Sequence, residues 1–131
     1  MPQPRAPAAL RRSLPASAAA LPHIRGLVRS FATERLGADA EKVSLITLAV
    51  TEAAANVVRH AYPDRAGMID VEAEALDHHL RVRIADAGVG LGEPSENRGI
   101  GSGLRIMQAL AKTRVISHPG QGTVVEMVFS V

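Results

Sequence analysis

Cysteine is absent from the 131 residues, which excludes disulfides, thiolate metal sites and cysteine nucleophiles and fits a reducing compartment. Tryptophan is absent too, and Phe31, Tyr62 and Phe129 are the sole aromatic residues, so the core has to be aliphatic. So few flat side chains leave little on which the bases of a single strand would stack. Blocks of like charge are also missing. The net charge is +2 and the pI 9.7, but the longest basic run is Arg11-Arg12, so the excess of arginine is scattered and a duplex-binding surface is not expected. No apolar stretch approaches the ~20 residues of a membrane span. Arg11-Arg12 and the alanines after it loosely mimic a twin-arginine export signal. Pro15 and Pro22 interrupt that stretch, which makes a poor apolar region for export. The expectation is a cytoplasmic protein with no direct nucleic-acid or membrane contact.

What is present is ordinary globular material, 47% hydrophobic and 21% charged, enough for one domain with one core. Residues 1–8 carry three prolines and read as a flexible N-terminal tail, with the domain over 9–131. A short edge strand is expected over Ala9–Leu14. A first helix follows from Ser17, or from Pro22, to Leu36, stopped by Gly37. Arg25 and Arg29 on it read as solvated, or as a partner-facing surface. Asp39 then caps a long helix over about 40–61, ended by the turn Tyr62–Gly67. Beyond it the period changes to two. Ile69, Val71, Ala73 and Ala75 alternate with Asp70, Glu72 and Glu74, and Leu80, Val82 and Ile84 alternate with Arg81 and Arg83. Two half-buried antiparallel strands result, joined through Asp77-His78-His79, with acidic and basic residues opposed. A third helix over Leu104–Lys112 and strands over Thr113–His118 and Thr123–Val131 complete a two-layer α/β sandwich. Its sheet is mixed but mostly antiparallel, with three helices on one face.

Two regions carry chemistry. In the central helix, Glu52 and Asn56 are four residues apart and so about 40° apart around the axis. Laid out on the helix, both fall beside Leu45, Ile46 and Ala49, in the apolar arc. A carboxylate and an amide there lose hydration and need partners. They are either an internal hydrogen-bond network or a metal and general-base pair facing a cavity. His60, on the same face, reads as core or rim packing.

The second region holds six of the chain's 11 glycines, between Gly88 and Gly103. Asp86-Ala87-Gly88-Val89-Gly90 leaves the end of a strand, which places a carboxylate at the sheet's edge with two glycines letting a ligand approach the backbone closely. Gly99-Ile100-Gly101-Ser102-Gly103-Leu104 runs into a helix start, whose free N–H groups and dipole favour an anion. Leu91 to Arg98 lies between them and could close over a ligand. No Gly-Lys-Ser/Thr follows, so this is not a Walker A loop. Antiparallel strands before it rule out the Rossmann fingerprint.

In order, the chain presents ExxxN on a helix, DxGxG after a strand, GxGxL entering a helix and Gly120-Gln121-Gly122-Thr123 on the last hairpin. That combination resembles the GHKL ATPase superfamily over about residues 9–131. The single small domain with Thr51-Glu52-Ala53 at the first motif is similar to the bacterial anti-sigma factor serine/threonine kinases. The resemblance implies ATP and Mg²⁺ as ligands, with Asn56 holding the metal and Glu52 acting as general base. It implies that Asp86 reads the adenine amino group with help from Thr123, and that Gly88 and Gly90 admit the base. It implies that Gly101, Ser102, Gly103 and Leu104 hold the phosphates under a lid at 91–100. That lid has no lysine, so Arg98 is left to face the γ-phosphate.

The partners implied are an anti-anti-sigma protein of the STAS type, as phosphoacceptor, and a sigma factor held in check. A homodimer is implied as well. The alternative is a non-catalytic, nucleotide-sensing module that switches partners. Glu52 speaks against it, because binding alone needs no base.

Overall fold

The computed structural model describes residues 8–90 and 101–131. The expected tail, apart from Ala8, and the expected lid with Arg98 lie outside the described residues. The elements are β1 (Ala8–Pro15), α1 (Ala20–Leu36), α2 (Ala40–Asn56), β2 (Met68–Leu76), β3 (His79–Asp86), α3 (Gly101–Leu110), β4 (Lys112–His118) and β5 (Gly122–Ser130). One five-stranded sheet has the order β1-β2-β3-β5-β4, and all four of its pairings are antiparallel. The three helices pack on one face of it.

Local chemistry sets the helix ends. Ser17 is not the cap of α1. It opens a turn in which its carbonyl accepts from Ala20, and the helix begins there, placing Pro22 in the first turn where its missing N–H is no loss. Gly37 closes α1 with φ 62°, the left-handed conformation that glycine adopts without steric cost. The Asp39 carboxylate caps α2 by accepting from the Lys42 N–H at 2.8 Å. Ile24, Val28 and Phe31 of α1 and Ile46, Val50 and Ala53 of α2 recur at helical spacing and are buried. Against them lie Ile69 and Val71 of β2, Leu80, Val82 and Ile84 of β3, and Met127 and Phe129 of β5. Fully burying each of these side chains other than Ala53 contributes about 1.5–3 kcal/mol.

Three further expectations shift. Leu45 is 37% exposed, so it lies on the outer flank of α2 rather than in the apolar arc. The long helix does not stay α to residue 61: Val57–Ala61 is a π-helical segment. Finally, α3 starts at Gly101, so the glycines expected before the helix form its first turn.

The uncovered face of the sheet is charged in register. Arg11, Glu72, Arg83, Glu126 and Arg114 stand side by side across all five strands. Arg83 reaches Glu72 at 3.5 Å and Glu126 at 3.9 Å, Arg11 meets Glu72 at 3.3 Å, and Arg81 pairs with Glu74. The β2–β3 turn is only Asp77-His78, with Asp77 at φ 49°. His78 and His79 are exposed, and no group of three or more potential metal-ligating side chains occurs among the described residues. No helix among the described residues is long and apolar enough to cross a membrane.

Candidate active site

A cleft open to solvent lies between the helices and the sheet. The end of α2 and the π segment give one wall (Ala53, Asn56, Val57, His60 and Ala61), and α3 adds Leu104 and Met107. The opposite wall is Ile84 and Asp86 from β3, Val115 from β4, and Thr123 and Val125 from β5, with Gly90 at the edge. The lining is mostly apolar, and its polar side chains stand apart: Asp86 and Thr123 at the sheet, Asn56 and His60 on the helical wall. His60 is exposed, at the rim.

Asp86 ends β3 directly opposite Thr123 of β5. Burial pushes its carboxyl above the ordinary aspartate pKa, and backbone N–H bonds from Gly88, at 2.9 Å to Oδ1, and from Thr123 pull it partly back. Thr123 is buried and its hydroxyl lies 3.0 Å from that of Ser117 on β4.

The glycines of the Asp86–Gly90 turn are required by the protein's own backbone. A Cβ on Gly88 would stand 2.1 Å from the Ala61 carbonyl oxygen, and the next N–H, of Val89, donates to that same oxygen at 2.9 Å. Gly88 does not line the cavity, whereas Gly90, at φ 77°, does.

Glu52 and Asn56 both project toward the first turn of α3. A Cβ on Gly103 would lie 3.0 Å from Glu52 Oε2 and 3.6 Å from Asn56 Nδ2, so a bare backbone at 103 lets the two helices approach there. The Asn56 Oδ1 atom is buried and has no hydrogen-bond partner among the described residues. That is the feature a satisfied internal network would not leave behind. The N–H groups of Gly101, Ser102 and Gly103, in the first turn of α3, have no acceptor within the helix and form a positive helix end beside these side chains. Of the residues expected at the site, Asn56, Asp86, Gly90, Leu104 and Thr123 line the cavity, whereas Glu52 and Gly103 meet beside it and are not part of its lining.

A mostly apolar slot with a carboxylate on its sheet wall, and an orphaned amide oxygen on its helical wall near the first turn of α3, suits a ligand that combines a flat amine-bearing group with an anion. The sequence matches the histidine kinase-like ATPase domain over residues 14–129. The chain belongs to that family. Its relatives include an anti-sigma F factor of Caldanaerobacter subterraneus subsp. tengcongensis, 31% identical with 79% of this chain and 80% of that protein covered. An anti-sigma F factor of Pasteuria penetrans is 33% identical over 67% of this chain and 68% of its own, and one of Clostridium acetobutylicum is 28% identical over 79% and 80%.

In this histidine kinase-like ATPase domain, several site residues escape a reading of the sequence alone. Gly122 backs Asp86: with φ 106°, it has room for no Cβ, which would stand 2.0 Å from the Asp86 carbonyl oxygen. Its signal was the GxGT spacing. Met107, Val115 and Val125 form the apolar lining but look like any other core residue in the sequence. Tyr62 has no side chain in the cavity, yet its hydroxyl holds the Asp86–Gly90 turn; being the single tyrosine of the chain was its one sign.

Proposed function

We propose that the protein is an ATP-dependent serine/threonine protein kinase acting as an anti-sigma factor: it phosphorylates a STAS-type anti-anti-sigma protein, otherwise holds a sigma factor, and works as a homodimer. The anti-sigma F factors among its relatives support the partners. The observation that carries the catalytic reading is the buried, unpartnered Asn56 Oδ1 beside Glu52 at the first turn of α3.

The residues fit the ligands. Asp86, with Thr123, accepts from the amino group of adenine, and the apolar walls at Ile84, Met107 and Val125 suit the faces of the base. The N–H groups of Gly101, Ser102, Gly103 and Leu104 face the phosphates, and Arg98 is the lid's candidate for the γ-phosphate. Asn56 Oδ1 is a suitable magnesium donor, since that ion needs few protein oxygens when phosphates and water complete its shell. Magnesium held there would supply charge compensation for the phosphates. Glu52 takes the proton from the hydroxyl of the protein substrate as its oxygen joins the γ-phosphorus, and ADP leaves with the bridging oxygen. Gly103 leaves room for the Glu52 carboxylate at that point.

Phosphate transfer from labelled ATP to a STAS-type protein tests the assignment. Replacing Glu52 with alanine should cut the transfer rate by roughly a hundredfold or more while ATP binding stays close to wild type. Undiminished transfer would remove Glu52 as the base, and no transfer even by the wild type would favour a partner switch without catalysis. For Asn56→Ala the expected loss is selective: Mg-ATP should weaken far more than metal-free ATP. Equal losses for the two would contradict the metal assignment.

A further inference from the structure

Between the end of the π segment and the start of β2, the turn Tyr62–Gly67 grips the Asp86–Gly90 turn from outside the cavity. The Tyr62 hydroxyl accepts from the Ala87 N–H at 2.9 Å and donates to the Met68 carbonyl at 2.6 Å. Arg65 donates to the Ala87 carbonyl at 2.8 Å, and its guanidinium carbon lies 5.7 Å from the centre of the Tyr62 ring. Both backbone groups of Ala87 are therefore held by one side-chain pair. A Cβ on Gly67 would come within 2.1 Å of the Tyr62 ring, so a glycine there gives the ring its seat. The neighbouring Val89 N–H to Ala61 carbonyl bond ties the same two segments again.

We infer that Tyr62 and Arg65 are positioning residues for base recognition: through Ala87 they hold the Asp86 carboxylate at a fixed distance from Asn56, and so set the preference for adenine. The inference deepens the proposed function and rests on Asp86 as the residue that meets the base. Its physical content is a lever one residue long. Asp86 lies next to Ala87 in the chain, and β3 ends at Asp86, so beyond that residue the sheet no longer fixes the backbone. The Tyr62–Arg65 pair takes over where the strand hydrogen bonds stop. Adenine and guanine differ in which group they present to a single acceptor, so a carboxylate free to drift would lose discrimination before it lost affinity for both.

The test is the dissociation constants of ATP and GTP, by calorimetry and competition, for the full chain and for Tyr62→Phe, Arg65→Met, Asp86→Asn and the Tyr62→Phe/Asp86→Asn double variant. Tyr62→Phe should weaken ATP roughly three- to tenfold, the scale of one net hydrogen bond, and GTP less, narrowing the preference for adenine. Arg65→Met should act in the same direction. In the Asp86→Asn background, Tyr62→Phe should leave the remaining preference unaltered, because Tyr62 acts through Asp86. Unchanged preference in both single variants would overturn the inference, as would equal loss of ATP and GTP in both backgrounds, the mark of a merely structural role. Should Tyr62→Phe fail to fold, Arg65→Met decides, since its exposed side chain can be shortened with little effect on the core. Failure of the wild type to bind ATP would instead defeat the reading of the site itself.

Discussion

The Asp86 carboxyl is half-buried on the sheet wall of a mostly apolar slot, and burial raises its pKa above the ordinary 3.8 despite N–H bonds from Gly88 and Thr123. A raised folded-state value means that the folded protein takes up the proton more readily than the unfolded chain. The stability this site contributes is therefore fully present below 3.8 and is lost as pH rises through the higher folded-state value. Burial therefore opposes ionisation of Asp86 in the folded, nucleotide-free protein. Asp86→Asn should melt modestly higher than the wild type at pH 7 without nucleotide, with the gain shrinking as pH falls toward 3.8; a variant melting lower at pH 7 would contradict this. At this scale the sequence was informative where spacing decides and silent where packing does. That Glu52 and Asn56 share a face was legible because four residues make nearly one helical turn, and that Asp86 ends a strand because two glycines follow it. Leu45 was misplaced because three neighbours on one arc do not reveal where a partner helix ends.

Among the elements, the glycines separate by what surrounds them. Gly88 and Gly122 stand against backbone oxygens, whereas a Cβ on Gly26 of α1 would meet nothing within 4 Å beyond its chain neighbours and its own helix backbone. Opposite signs are therefore expected from one substitution. Gly26→Ala should stabilise by about 0.5–1 kcal/mol through helix propensity, and Gly88→Ala should destabilise by about 2–3 kcal/mol because the Ala61 carbonyl must move. Thermal melts of the two variants check this, and equal shifts would show that the Gly88 contact is slack. The order of elements, the stop at Gly37 and the Asp39 cap followed from local chemistry. The start of α3 did not, because glycines read as helix breakers until Glu52 is seen against Gly103. The π segment was equally illegible: over five residues its period cannot be told from that of an α-helix.

At the scale of the whole molecule, the site is a seam between two layers. The helix layer brings Glu52, Asn56 and the first turn of α3, the sheet brings Asp86 and Thr123, and the Tyr62–Gly67 turn ties them together. The two-layer architecture was legible from the change of period after Gly67, and the opposed charges of β2 and β3 from their alternation. That the charged row continues through β1, β5 and β4 was not, since it depends on strand order and register. The far face of the sheet carries charge and the near face carries the cavity. The central claim is that this seam binds a magnesium nucleotide through Asp86. Calorimetric titration of the wild type and of Asp86→Asn with ATP, with and without Mg²⁺, tests it most directly. The account predicts magnesium-dependent binding in the wild type, weakened roughly tenfold or more in the variant, the scale of a hydrogen bond to a charged group. ATP binding that is absent from the wild type, or that is indifferent to loss of the Asp86 charge, would contradict it.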